Sequence, residues 1–241
     1  MSELLNIQNL SSGYNGKKVL HDISLSVGKG EVLAVIGQNG CGKTTLLKTI
    51  ARIIQDSAGI ITFAGEKLNY HNSSYHTTSN LKEKGLSLFL QGGMVFPTMK
   101  VSEHFELALK GVSEKEAAIM VDECLSYFPA LANCMNKRGG NLSGGQRQML
   151  SFAMLLSQQT QCWLLDEPTA GLAPDAVKEA LEFLKKMKED VNKTMILVEH
   201  NYQVVFELAD HVAIIKEGKL YGCFPKTEFQ KDNFLNSHLY N

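Results

Sequence analysis

The stretch that most constrains this chain is EVLAVIGQNGCGKTT, residues 31–45. Its apolar run ends in glycine, as does a strand buried on both faces of a parallel sheet. The residues that follow place Gly37, Gly42, Lys43 and Thr44 at the offsets of G-x-x-x-x-G-K-[ST]. Glycines there let the backbone wrap a polyphosphate with its N–H groups pointing inward. A helix, predicted from Lys43 to about Ile54, would add its positive N-terminal end. Lys43 can then reach the outer phosphates, and the Thr44 hydroxyl can bind Mg²⁺. Gly37, Asn39, Gly40, Cys41, Gly42, Lys43, Thr44 and Thr45 are the candidate contacts of this cradle. Cys41 reads as an inert small residue, with an alkylation handle as the alternative.

A phosphate cradle alone does not say what is done with the phosphate. WLLDEP, residues 163–168, supplies the next part. Asp166 ends an apolar run, where strands of this sheet class present their ligand sites. It is a natural Mg²⁺ partner, and Glu167 beside it can polarise an attacking water. His200 ends a second apolar run, MILVEH, where an imidazole can donate to a terminal phosphate. LFLQGGMVFP, residues 88–97, has Gln91 and two glycines between apolar flanks. His21, His104, His211 and His238 have no comparable context and are unassigned.

The rest of the chain reads as alternating strands and helices, which implies a parallel-rich sheet. LLNIQNL and VLHDISLSV near the start read as strands, and GIITFAGEKL as a strand and turn. Residues 69–80, NYHNSSYHTTSN, read as a polar surface loop, with His71 and His76 as loop histidines rather than ligands. Helical spacing dominates from about 99 to 160. VSEHFELALKG and SEKEAAIMVDECLSYF each carry a Ser followed by acids, a helix-start signal. Strands are expected again in QCWLLDEP and KTMILVEH, helices in APDAVKEALEFLKKMKED and NYQVVFELAD, and a hairpin-like pair in HVAIIKEGKLYG. The C-terminal KTEFQKDNFLNSHLYN has no ligand motif and is expected to pack on the core or fray.

The five cysteines are widely spaced with no CxxC, which argues against a disulfide framework or zinc site and for a reducing compartment. A net charge of −1 shows no global nucleic-acid signal. The N-terminus has no leader pattern, and no run approaches the length needed to span a bilayer. If the protein works at a membrane, another chain is expected to hold it there.

NLSGGQRQ, residues 141–148, resembles the signature sequence of ATP-binding cassette (ABC) ATPases. The likeness runs in order along nearly the whole chain. It implies an α/β fold: a P-loop NTPase (RecA-like) core with a mostly parallel sheet, an N-terminal antiparallel β subdomain and an inserted α-helical subdomain. The expected division is core at 1–90 and 160–241, and helical lobe at 91–159. Tyr14 matches the aromatic that stacks on adenine, Gln91 the Q-loop, Asp166 the end of the Walker B strand, Glu167 the catalytic glutamate and His200 the switch histidine. ATP and Mg²⁺ are the implied cofactors, with Thr44, Gln91 and Asp166 around the metal and Lys43, Gln91, Glu167 and His200 in catalysis.

The resemblance also implies two subunits stacked head to tail, so that Ser143, Gly144, Gly145 and Gln146 of one face the γ-phosphate held by the other. Gln91 would sit at the joint between core and lobe, Gly92 and Gly93 would be the hinge, and MVFPTM at 94–99 would line the groove for a short helix of a membrane permease. The implied location is peripheral, at the cytoplasmic face of the inner membrane. PTAGLAPD, in which Ala173 stands where many cassettes carry Asp, together with VEHNYQVVFELADHV, looks like the ATP-binding subunits of branched-chain amino acid and urea-type importers. A lipopolysaccharide-export ATPase and a soluble assembly ATPase of the iron–sulfur type are the alternatives. DNA-repair and translation ATPases usually carry two cassettes, long coiled coils or zinc insertions, and this sequence has no heptads and no CxxC.

Overall fold

The computed structural model describes residues 3–55, 57–68, 82–231 and 234–239. The polar stretch 69–80, with His71 and His76, lies outside the described residues. An antiparallel sheet runs in the order β2–β1–β4–β5, built from β1 (Glu3–Tyr14), β2 (Lys17–Gly28), β4 (Ser57–Phe63) and β5 (Glu66–Lys67). A second sheet has the order β10–β9–β3–β8–β7–β6. Its strands are β3 (Val32–Ile36), β6 (Leu86–Phe89), β7 (Cys162–Asp166), β8 (Thr194–Val198), β9 (His211–Lys216) and β10 (Lys219–Pro225). All neighbours in it pair in parallel except β9 and β10. Every residue of β3, β7 and β8 is buried, as continuous apolar strands covered on both faces must be.

Helix α1 (Lys43–Ile50) follows β3. It stops short of Ile54, the predicted end. Arg52 adopts φ +59°, and Arg52 N–H donates to Thr49 O at 3.0 Å while Ile53 N–H donates to Lys48 O at 2.9 Å. This is a Schellman stop with arginine where glycine usually signals it, so no residue type announced the end.

Between β6 and β7 the chain forms α2 (Val101–Ala108), α3 (Glu114–Tyr127), α4 (Pro129–Ala132) and α5 (Gly144–Leu156). Ser113 caps α3 as its sequence predicts, accepting from Glu116 N–H. Ser102 does not cap α2. That helix begins after Lys100, whose N–H donates to Glu103 Oε2 at 2.6 Å. His104, unassigned from sequence, is fully buried; its Nε2 accepts from Phe96 N–H at 2.8 Å and its Nδ1 lies 2.7 Å from Lys100 O. It ties the segment after Gln91 to α2.

Helices α6 (Pro174–Glu189) and α7 (Tyr202–Leu208) return to the parallel sheet. Phe183 of α6 packs against Phe128, Phe152 and Trp163, at centroid distances of 4.7, 5.1 and 6.0 Å. This aromatic cluster joins the helices after β6 to the sheet. Past β10, α8 (Lys226–Phe229) and α9 (Phe234–Leu239) bury Phe229 and Phe234 against the β3–β9 end of the sheet.

Candidate functional site

Parallel strands all present their carboxyl ends on one edge, and there the sheet collects residues remote in sequence. Gly37 follows β3, Asp166 ends β7, His200 lies just past β8 and Gln91 just past β6. The order β3–β8–β7–β6 makes these four positions neighbours.

The cradle is the turn from β3 into α1. Gly42 precedes the helix at φ +108°, and a Cβ on it would lie 2.6 Å from Leu20 Cδ2. Only glycine satisfies both the torsion and the space. Lys43 is buried, and its ammonium donates to Gly37 O at 2.9 Å and Gln38 O at 3.0 Å. The Cys41 side chain turns into the core beneath the loop, and burial pushes its thiol up in pKa, with the Lys43 charge opposing. That is the environment of an inert thiol.

Thr44 Oγ1 donates to Asp166 Oδ1 at 3.0 Å. Burial raises the Asp166 pKa above the usual carboxylate value; the Thr44 bond opposes the rise and the neighbouring Glu167 charge adds to it. A hydroxyl and a buried carboxylate held this close suit Mg²⁺, a hard cation that takes one or two protein oxygens and draws the rest from water and substrate phosphates. Among the described residues, no group of three or more His, Cys, Asp or Glu side chains could hold a metal unaided. With one hydroxyl and one carboxylate as protein donors, the remaining ligands of such a cation would come from water and a nucleotide's phosphates.

Glu167 follows Asp166 in a left-handed conformation, φ +48°. Its N–H donates to Val198 O at 2.9 Å, pinning it to the end of β8. A non-glycine residue held at positive φ stores local strain. Glu167 Oε2 accepts from Gln91 Nε2 at 2.9 Å, and Oε1 lies 3.0 Å from His200 Nε2. Gln91, Glu167 and His200 are thus one cluster. Gly92 and Gly93 follow at φ +84° and +72°.

A cavity of about 440 Å³ opens over these groups, lined by Val19, Asn39, Gly40, Gly42, Lys43, Thr44, Thr45, Gln91, Glu167 and His200. Gly40 lines the cavity, and nothing stands within 4 Å of where its Cβ would be. Val19 was not singled out from sequence. It lies on β2, and only the fold carries that strand to the cradle. Tyr14, at the end of β1, is outside the lining and exposed. Gly37, Cys41 and Asp166 are not among the lining residues.

Ser143, Gly144, Gly145 and Gln146 are also outside it. They open α5, where Ser143 Oγ accepts from Gln146 N–H at 3.2 Å and Gln146 Oε1 accepts from Ser143 N–H at 3.0 Å. This reciprocal capping box accounts locally for the Ser and the Gln. Of the first-turn N–H groups, that of Gln146 is taken by the cap, while those of Gly144 and Gly145 precede any acceptor in the helix ladder.

The fold and this edge define a P-loop nucleotide-binding α/β protein. Residues 20–170 match the family model described as ABC transporter. The chain is 31% identical over 217 residues to the high-affinity branched-chain amino acid transport ATP-binding protein BraG of Pseudomonas aeruginosa, covering 90% of this chain and 91% of that one. It is 32% identical over 220 residues to the sulfate/thiosulfate import ATP-binding protein CysA of the same organism, covering 89% of this chain and 64% of that one. Among solved structures, cbiO1 of Clostridium perfringens, part of the ABC transporter complex cbiONQ, superposes with a TM-score of 0.83 at 26% identity, over 100% of this chain and 97% of that one. The chain belongs to the ABC transporter family, and is an ATP-binding subunit and ATPase.

Proposed function

We propose that this chain hydrolyses ATP to drive a membrane importer, with a branched-chain amino acid or a related solute as cargo. The observation that carries the mechanism is the meeting of Lys43, Thr44 and Asp166 with Gln91, Glu167 and His200 on one sheet edge. In this reading the loop from Gly37 to Thr45 holds the phosphates and Lys43 leaves the Gly37 and Gln38 carbonyls for the outer ones. Thr44 and Asp166 would hold Mg²⁺, with Gln91 at its margin, and the ion would supply neutralisation of phosphate charge. Glu167 takes a proton from the attacking water, and His200 donates to the γ-phosphate. Tyr14 and Val19 flank the adenine.

The two remaining parts come from a second chain and from the permease. Ser143, Gly144, Gly145 and Gln146 lie away from the cavity, and their helix start suits an anion from a facing subunit. ATP binding then closes a head-to-tail dimer and hydrolysis reopens it. Residues 91–159 move as a lobe on Gly92 and Gly93, and exposed Met94 and Phe96 meet the permease. The chain sits peripherally at the cytoplasmic face, held by the permease, with no nucleic-acid partner; among the described residues, no helix is long and apolar enough to cross a membrane. BraG and the GLAP and VEHN stretches support the amino acid cargo; CysA shows that similar chains have other named cargoes.

The test is to purify tagged Glu167→Gln from detergent-solubilised membranes with ATP and Mg²⁺. Co-purification of a multi-spanning permease is expected. Recovery of soluble partners alone, across several detergents, would overturn the transporter reading.

A further inference from the structure

Glu199 precedes His200 and is almost fully buried, yet its carboxylate lies against none of the lysines or arginines paired elsewhere with acids. Its oxygens are instead divided between two loops. Oε1 accepts from His200 N–H at 2.8 Å and Asn201 N–H at 3.1 Å. Oε2 accepts from Thr169 Oγ1 at 2.7 Å and Thr169 N–H at 3.3 Å. Thr169 lies two residues after Glu167, and Glu199 one before His200. The carboxylate therefore bridges, from behind, the two loops whose side chains meet at the Glu167–His200 contact of 3.0 Å.

We propose that Glu199 is a positioning residue for hydrolysis: it locks the Glu167 loop to the His200 loop so that both side chains face the nucleotide together. This rests on the roles given above to Glu167 and His200. An ion can satisfy four donors at once because a carboxylate only accepts, and charge-assisted bonds of this kind are stronger than neutral ones. An apolar side chain of similar size would leave buried donors unpaired, and the loops would move to find water. The cradle from Gly37 to Thr45 hangs on β3 and takes part in none of the four bonds to Glu199, so nucleotide affinity should change less than turnover.

The experiment compares the full chain with Glu199→Leu, Glu199→Gln and Thr169→Val for ATP turnover, ATP KM and the histidine ring resonances in NMR. Glu199→Leu should lower kcat at least tenfold with KM changed less than about threefold. Glu199→Gln, which still accepts with one oxygen and can donate to Thr169 Oγ1, should recover part of the loss. Thr169→Val removes the Oγ1 donor but keeps the Glu199 carboxylate and the backbone N–H bond to it, so it weakens the bridge from the other side and serves if Glu199→Leu folds poorly. It should lower kcat less, and add nothing in the Glu199→Leu background. The His200 resonance, identified by its loss in His200→Ala, should shift in Glu199→Leu.

Wild-type kcat in both Glu199→Leu and Thr169→Val, additive losses, or an unmoved His200 resonance would each overturn the proposal. Glu167→Gln measured alongside separates the two readings. Turnover surviving there sinks the catalytic assignment, whereas the His200 resonance, compared in Glu199→Leu and Thr169→Val with Glu167 intact, tests the bridge without recourse to turnover.

Discussion

Gln91 Nε2 donates to Glu167 Oε2 at 2.9 Å, across 76 residues of sequence. One belongs to the loop leaving β6 and the other to the loop leaving β7, so the bond joins the entry to the helical segment with the proposed general base. Removing the amide should misplace Glu167 without emptying the cradle. Gln91→Ala is expected to lower kcat on the order of 10²-fold, the scale set by small misplacements of reacting groups, with ATP affinity nearly unchanged. Glu167→Gln should lose about 10²–10⁴-fold, the range for a missing general base, and should accumulate an ATP-bound dimer. Steady-state kinetics and size-exclusion chromatography with ATP check both; wild-type turnover in Glu167→Gln would remove it as the base.

Tyr14 is exposed at the end of β1, while Val19 lines the cavity. Tyr14→Ala should weaken ATP by about 1–3 kcal/mol, the worth of one base stacked on an aromatic ring. Inorganic triphosphate, which has no base, should bind both forms alike. Equal ATP affinity before and after, by titration calorimetry, would take Tyr14 out of the site.

Burial holds the Asp166 pKa above the value of an unfolded aspartate, 3.8. Between those two values the folded chain binds more protons than the unfolded one, so stability falls as pH rises through the window. Asp166→Asn removes the buried charge and should raise Tm at pH 7. The gap from wild type should close as pH is lowered toward 4. The same variant should lose Mg²⁺-dependent stabilisation by ATP. A Tm unchanged at pH 7, with Mg²⁺ dependence intact, would contradict both the electrostatics and the metal assignment.

Phe183 is buried within the ring cluster that joins α6, α3, α5 and the sheet. Phe183→Ala should cost about 3–5 kcal/mol, as large aromatic deletions in cores do. Denaturant unfolding measures it. A loss below 1 kcal/mol would mean the helices after β6 are not anchored through this ring.

The sequence by itself determined the chemistry of each loop. A glycine-rich turn after an apolar run, acids closing WLLDEP and a histidine closing MILVEH are local statements, because backbone freedom, charge and strand burial are properties of a few neighbouring residues. It also determined the parallel core, since runs as apolar as VLAVI and TMILV cannot face water on either side. What it left open was adjacency. Strand order set Gln91 beside Glu167 and packed Thr44 against Asp166, while packing of the antiparallel sheet on the parallel one carried Val19 on β2 to the cradle, and those contacts join segments far apart in the chain. Glu199 shows the limit most clearly. Written next to His200 it is one more acid, and only burial, with Thr169 of another loop against it, makes it a bridge.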